Sequence, residues 1–193
     1  KFGGSSVANS ENIKKVLAIV ETASKNQKIA VVVSAFGKTT NTLIEGAHLA
    51  ANKDEKYTKI LQDLENHHFS VIKDLIPIQD QSSIISYVKQ LFNHLETIYE
   101  GCFLLQELSP KTLAKISSFG ELLSSYIIAK AANLSFETAY KDSRELIVAS
   151  NTYLSATVDF ATTNANLQNY FNGNQKQVTL LPGFVAKTAE NIT

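Results

Sequence analysis

The 193-residue chain lacks the marks of several protein classes. A single cysteine, Cys102, excludes an internal disulfide and fits a reducing compartment. Eighteen basic residues against eighteen acidic ones leave no electrostatic footprint for nucleic acid or an anionic membrane. No apolar run approaches the roughly 18 residues of a spanning helix, and no signal peptide opens the chain. Four histidines without ligand spacing give no zinc site, and no residue is a convincing metal ligand. The neighbours His67 and His68 point to different sides of a helix, and both are expected at the surface. These absences leave a cytoplasmic globular protein within the size of one domain.

What is present starts at the first residue. Lys1-Phe2-Gly3-Gly4-Ser5-Ser6 reads as the end of a buried strand opening into a loop whose glycines can take positive φ and let a ligand approach the backbone. A helix follows, with Asn9 and Ser10 as N-caps and Ile13, Val16, Leu17 and Val20 as its apolar stripe. Amides at Gly3, Gly4 and Ser5 with the charge of Lys1 make a phosphate site, while an ordinary glycine turn is the competing reading of a bare glycine pair. Ile29 to Val33 is a continuous β-branched run, expected as a strand covered on both faces and therefore in a parallel sheet. It leads into a polar loop from Ser34 to Asn41 at the sheet edge where open α/β proteins bind ligands. Gly37-Lys38-Thr39 imitates a P-loop, but Val32 stands where that motif needs its first glycine.

From Leu43 to about Asn133 the pattern is helical, with a helical section expected over 52–133. Within it Ile84, Val88, Leu91, Leu95, Ile98, Cys102 and Leu105 recur in steps of three and four, which places all seven on one seam. Ser109 and Pro110 open a later helix. Gly120 and Glu121 interrupt its apolar stripe, and a carboxylate there needs a positive partner, from a ligand or from the protein. Ser135 to Tyr140 alternates as a third strand ending in Asp142-Ser143-Arg144, and a helix to Phe171 precedes a strand at Val178 to Leu181.

Several of these strings together resemble the aspartokinases of the amino acid kinase family. They are Lys1-Phe2-Gly3-Gly4-Ser5-Ser6-Val7, Ser34-Ala35 with Thr40-Asn41, Ser118-x-Gly120-Glu121-x-x-Ser124, Asp142-x-Arg144, and the Gly183-Phe184 turn. Asn151 to Asp159, which includes Leu154, resembles more narrowly the kinase half of bifunctional aspartokinase/homoserine dehydrogenases. The resemblance spans the chain and implies a three-layer αβα sandwich with a mainly parallel sheet and a long helical insertion. It implies a cytoplasmic, homo-oligomeric enzyme that makes 4-phospho-L-aspartate from L-aspartate and ATP with Mg2+, the first step towards Lys, Thr, Met and Ile. It assigns the phosphate loop to Lys1, Gly3, Gly4 and Ser5, and the aspartate site to Ser34, Thr40, Glu121 and Arg144. In the family the threonine hydroxyl bonds the substrate, the glutamate receives its ammonium, and the arginine holds a carboxylate.

For Thr40 a helix N-cap remains at least an equal alternative, and for Glu121 a structural pairing within the protein is the lesser one. Glu121 and Arg144 are expected to stabilise each other in the empty site. The family's nucleotide-binding half, its ACT regulatory domains and any dehydrogenase module would follow Thr193, so 1–193 is expected to be a partial catalytic domain, cut at both ends and inactive alone. A kinase for another acid and a non-catalytic amino-acid-binding domain are the other readings.

Overall fold

The computed structural model describes residues 1–153, 155–190 and 192–193, so Leu154 of the 151–159 segment lies outside the described residues. Helix α1 spans Ser10–Ser24, and the Asn9 side chain caps it by accepting from the Asn12 amide. Strand β1 covers Ile29–Val33. Four helices follow, α2 over Thr39–Ala51, α3 over Lys56–Leu75, α4 over Ile78–Leu105 and α5 over Pro110–Ala132. The expected cap of α5 is present, since the Ser109 hydroxyl accepts from the Thr112 amide ahead of Pro110. Strand β2 (Thr138–Tyr140), helix α6 (Phe160–Gly173) and strand β3 (Val178–Pro182) complete the order.

The α/β class and the parallel sheet follow the expectation. The strand order is β1-β3-β2 with both pairings parallel, and Phe2 adds a parallel bridge to Val33 on the far side of β1. β3 is buried along its whole length because it lies between two strands, and α5 runs across all three. β1 is less evenly covered than its sequence suggests. Val31 and Val33 are buried, whereas Ala30 is exposed on the alternate face, beside a groove bordered by Thr179 and by Phe171 of α6.

Helices α2 to α5 pack on one another, as a seam of large side chains requires. The α4 seam is Ile84, Val88, Phe92, Leu95, Tyr99 and Cys102. Leu91 and Ile98 are only half-buried, and Leu105 is 75% exposed. The helix turns 3.6 residues at a time, so a strict seven-residue pattern drifts off the contact face. Phe92 and Tyr99 take the vacated positions, and the Tyr99 hydroxyl donates to the Leu43 carbonyl at 2.6 Å. Gly46 makes room for that ring, since a Cβ there would lie 3.1 Å from it. Among the described residues no helix is long and apolar enough to cross a membrane.

His68 is not at the surface. It falls on the α3 seam with Tyr57, Leu61, Leu64, Val71 and Ile72 and is fully buried, while His67, one residue around the helix, is exposed as expected. Its Nδ1–H donates to the Leu64 carbonyl at 2.7 Å, Nε2 has no partner, and the ring stacks on Phe36 with Phe92 at its edge. Burial pushes its pKa down from 6.5 to about 4, against the smaller opposing effect of the Leu64 carbonyl.

His68 therefore makes the fold acid-sensitive in a defined window. Below pH 6.5 the unfolded chain binds a proton here that the folded chain refuses, so stability falls as pH drops from about 6.5 to 4 and is unaffected above that range. The loss should approach about 3 kcal/mol near pH 4. Denaturant unfolding at pH 7 and pH 4.5 should show that His68→Leu lowers the acid slope by that share; an unchanged slope would refute it.

Candidate substrate site

Parallel pairing sends every strand's carboxyl end to the same edge of the sheet. Four hydrogen bonds hold the emerging chain there. Phe2 N–H donates to Val32 O at 2.9 Å, Ser34 N–H to Phe2 O at 3.1 Å, Gly183 N–H to Val33 O at 2.8 Å and Lys141 N–H to Leu180 O at 3.0 Å. The Gly3-Gly4 loop, the Ser34 loop, the Asp142-Arg144 turn and the Gly183-Phe184 turn thus share one rim.

The first loop is a 3-10 turn over Gly4–Val7 with Gly3 at φ −79°, so neither glycine is there for positive φ. Close approach is the reason for Gly4. A Cβ on it would lie 2.7 Å from Gly37 O and 3.1 Å from Ala35 O, and Gly37 N–H donates to Gly4 O at 3.1 Å. Gly37 itself takes φ +53°. Gly3 faces open space, and Lys1 and Ser5 are exposed beside it. The loop therefore offers an open polar face carrying Lys1, Gly3 and Ser5, while Gly4 docks it to the second loop.

Thr40 is not an N-cap. Lys38 occupies that position without a side-chain cap bond, and Thr39 returns its hydroxyl to Phe36 O at 2.7 Å. The half-buried Thr40 hydroxyl makes no hydrogen bond among the described residues and lies against Gly120, whose Cβ would come within 3.1 Å of it and 2.9 Å of the Ala35 methyl. That contact explains a glycine in mid-helix. The next residue on α5, Glu121, is 3% exposed. Its Oε1 accepts from the Ser34 hydroxyl at 3.3 Å, and its Oε2 is buried with no partner. Burial raises its pKa, partly offset by the Ala35 backbone amide and the Ser34 hydroxyl. No cation pairs with it among the described residues, which sets aside the structural ion pair. The structure brings Ser34, Thr40 and Glu121 together.

Arg144 is placed differently. Its Nε and Nη2 fork onto the Asp142 carboxylate, the shortest contact being 2.6 Å, and Nη1 donates to the Thr193 hydroxyl at 3.3 Å. Glu121 and Arg144 therefore do not stabilise each other, contrary to the sequence-based expectation, because a carboxylate two residues away has already neutralised the guanidinium. Two features carried no assigned role from sequence. Ser124 is fully buried and donates to Ser34 O at 2.9 Å. Phe184 is 80% exposed in a left-handed conformation at φ 61°, which for an aromatic is strained. Phe184 borders a cavity of about 330 Å³ that Ser117, Ser118 and Tyr153 also line. The Pro182-Gly183 pair before it was the available signal. Among the described residues no three His, Cys, Asp or Glu side chains gather as a metal-ligand set.

The sequence pattern of the amino acid kinase family matches residues 1–193. A bifunctional aspartokinase/homoserine dehydrogenase from Buchnera aphidicola is 33% identical over 96% of the chain and 23% of its own length. A chloroplastic enzyme of the same description from Arabidopsis thaliana is 28% identical over the whole chain and 21% of its own length. The E. coli aspartokinase III structure in complex with aspartate and ADP superposes with a TM-score of 0.86 at 23% identity, over 99% of this chain and 41% of that one. The chain thus spans about a fifth of the length of these curated relatives.

The two loop glycines make separable demands. Gly4→Ala puts a methyl into backbone that cannot move aside cheaply and should cost about 1–3 kcal/mol. Gly3→Ala meets nothing and should stay within about 0.5 kcal/mol. Thermal denaturation distinguishes them, and equal costs would discard the docking role of Gly4.

Proposed function

The chain belongs to the amino acid kinase family, and on that premise we propose that it carries the aspartate side of an aspartate kinase, which moves the γ-phosphate of ATP onto the side-chain carboxylate of L-aspartate to give 4-phospho-L-aspartate. The observation that carries this reading is Glu121, a buried carboxylate whose Oε2 lacks a partner and which has no cation beside it among the described residues. Such a group is costly in an empty site and becomes favourable when a ligand ammonium arrives. The Thr40 hydroxyl beside it, also without a partner among the described residues, supplies a neutral donor for the same amino acid, and Ser34 holds the carboxylate. Arg144, fixed by Asp142 on the same sheet edge, is proposed to offer its remaining donors to a substrate carboxylate.

The chemistry asks little of acid–base groups. The acceptor is already ionised, so the site must position it and neutralise the charge on the moving phosphoryl group. Lys1, with the backbone of Gly3, Gly4 and Ser5, is proposed to face that group from the open side of the first loop. Magnesium would arrive with ATP rather than reside on this chain. Because the chain spans about a fifth of its curated relatives, turnover is proposed for the longer protein that contains it. The proposal extends to a cytoplasmic enzyme, supported by a single unpaired and buried cysteine, and to a homo-oligomer, as the family resemblance implies.

ATP-dependent formation of aspartyl hydroxamate by the full-length enzyme tests the assignment. Glu121→Gln should raise aspartate KM about tenfold or more, a loss of about 1.4 kcal/mol or above, with little change for ATP. Since it also removes a buried charge, it should leave Tm at pH 7 unchanged or higher. A lowered Tm with unchanged KM would make Glu121 structural. Lys1→Ala should reduce kcat by about 10² while aspartate KM moves less.

A further inference from the structure

The four buried serines of α5 do not use their hydroxyls alike. Ser117 and Ser118 return theirs to their own helix, at Leu113 O (2.8 Å) and Lys115 O (2.7 Å). Ser125 bonds Leu122 O at 3.3 Å, again within the helix. Ser124 has one proton and two carbonyls within reach, Glu121 O at 3.3 Å within the helix and Ser34 O at 2.9 Å across 90 residues. The nearer acceptor lies outside the helix, in the loop after β1.

The Ser34 carbonyl and the Ala35 N–H belong to one peptide unit, which is planar and turns as a body. α5 reaches this plate twice from a single turn. Ser124 takes its carbonyl, and three residues earlier the Glu121 carboxylate accepts from the hydroxyl of Ser34, the residue that carries that carbonyl. The preceding peptide is tied separately, from Ser34 N–H to Phe2 O at the root of the Lys1 loop. Rotation of the plate would shift the Ser34 side chain and take its hydroxyl off the carboxylate.

We propose that Ser124 is a positioning residue, which clamps the Ser34–Ala35 peptide so that the Ser34 hydroxyl keeps Glu121 aimed at the ammonium of the bound amino acid. The inference rests on the aspartate-site reading above and adds a residue that acts only through Ser34 and Ala35. Without the Ser124 hydroxyl the carbonyl end of the plate is released, the hold of the Ser34 hydroxyl on Glu121 weakens, and a carboxylate whose pKa burial already raises ionises less readily.

The test is steady-state kinetics of the full-length enzyme across pH, with Ser124→Ala, Ser124→Cys and Glu121→Gln in parallel. Ser124→Ala should raise aspartate KM about five- to tenfold with ATP KM within about twofold. It should also move the acid limb of kcat/KM for aspartate to higher pH, which lost packing alone would not do. Ser124→Cys, nearly equal in volume and a weaker donor, should fall between and carries the test if the alanine variant does not fold. A lower Tm with KM and acid limb unchanged would overturn the positioning role. If Glu121→Gln raises aspartate KM while both Ser124 variants match the parent, only this inference falls. If Glu121→Gln leaves aspartate KM unchanged, the aspartate-site reading falls, and the inference falls with it.

Discussion

A carboxylate buried without a cation is the constraint around which the rim of the sheet is arranged. Glu121 sits 3% exposed on a helix that crosses all three strands, and its carboxylate accepts from one hydroxyl of the loop after β1. One neutral donor does not repay the desolvation of a charge, so the folded chain carries a cost at this point. The surrounding choices follow from keeping it there. Gly120 lets the helix approach Ala35 and Thr40, and Ser124 fastens the Ser34 carbonyl. Stability and ligand binding therefore pull in opposite directions at Glu121, since protonation relieves the empty site and removes the charge an ammonium would meet.

The helical section is the support of this rim rather than an appendage to it. α5 supplies Glu121 directly. α3 lies beneath the second loop, where His68 stacks on Phe36, and the carbonyl of Phe36 anchors the Thr39 hydroxyl at the start of α2. α4 ties the same helix from the other side through the Tyr99–Leu43 bond. The loop that contributes Ser34 and Thr40 is thus short, but it is braced by three helices packed on one another. A chain with less helix between its first and second strands would have to hold that loop by its own hydrogen bonds.

Local sequence rules succeeded where one element decides the outcome. Asn9 and Ser109 cap helices as their side chains predict, and the β-branched run at Ile29 to Val33 is a strand. Patterns spanning two elements were legible only in part. His68 lies in the 57–61–64–68–71 spacing that signals a buried α3 seam, yet its residue type argued for the surface. Leu105 fits the α4 repeat and is exposed, because a strict seven-residue pattern drifts off the contact face of a helix that turns every 3.6 residues. The glycine pair at the start was legible as a loop, but the reason for Gly4 is the Gly37 carbonyl, 33 residues away in sequence.

By itself the sequence determined the α/β class, the parallel sheet and the strings that mark an amino acid kinase, because strand composition, capping and short motifs depend on neighbours along the chain. Which charged groups meet was decided by tertiary structure alone. Glu121 and Arg144 are both motif residues with opposite charges, yet Asp142 reaches the guanidinium first and leaves the carboxylate without a cation. The grip of Ser124 on the Ser34–Ala35 peptide likewise exists only once α5 lies across the end of β1. Coulomb and hydrogen-bond energies fall off over a few ångströms, and sequence spacing does not encode distances that short between residues 90 positions apart.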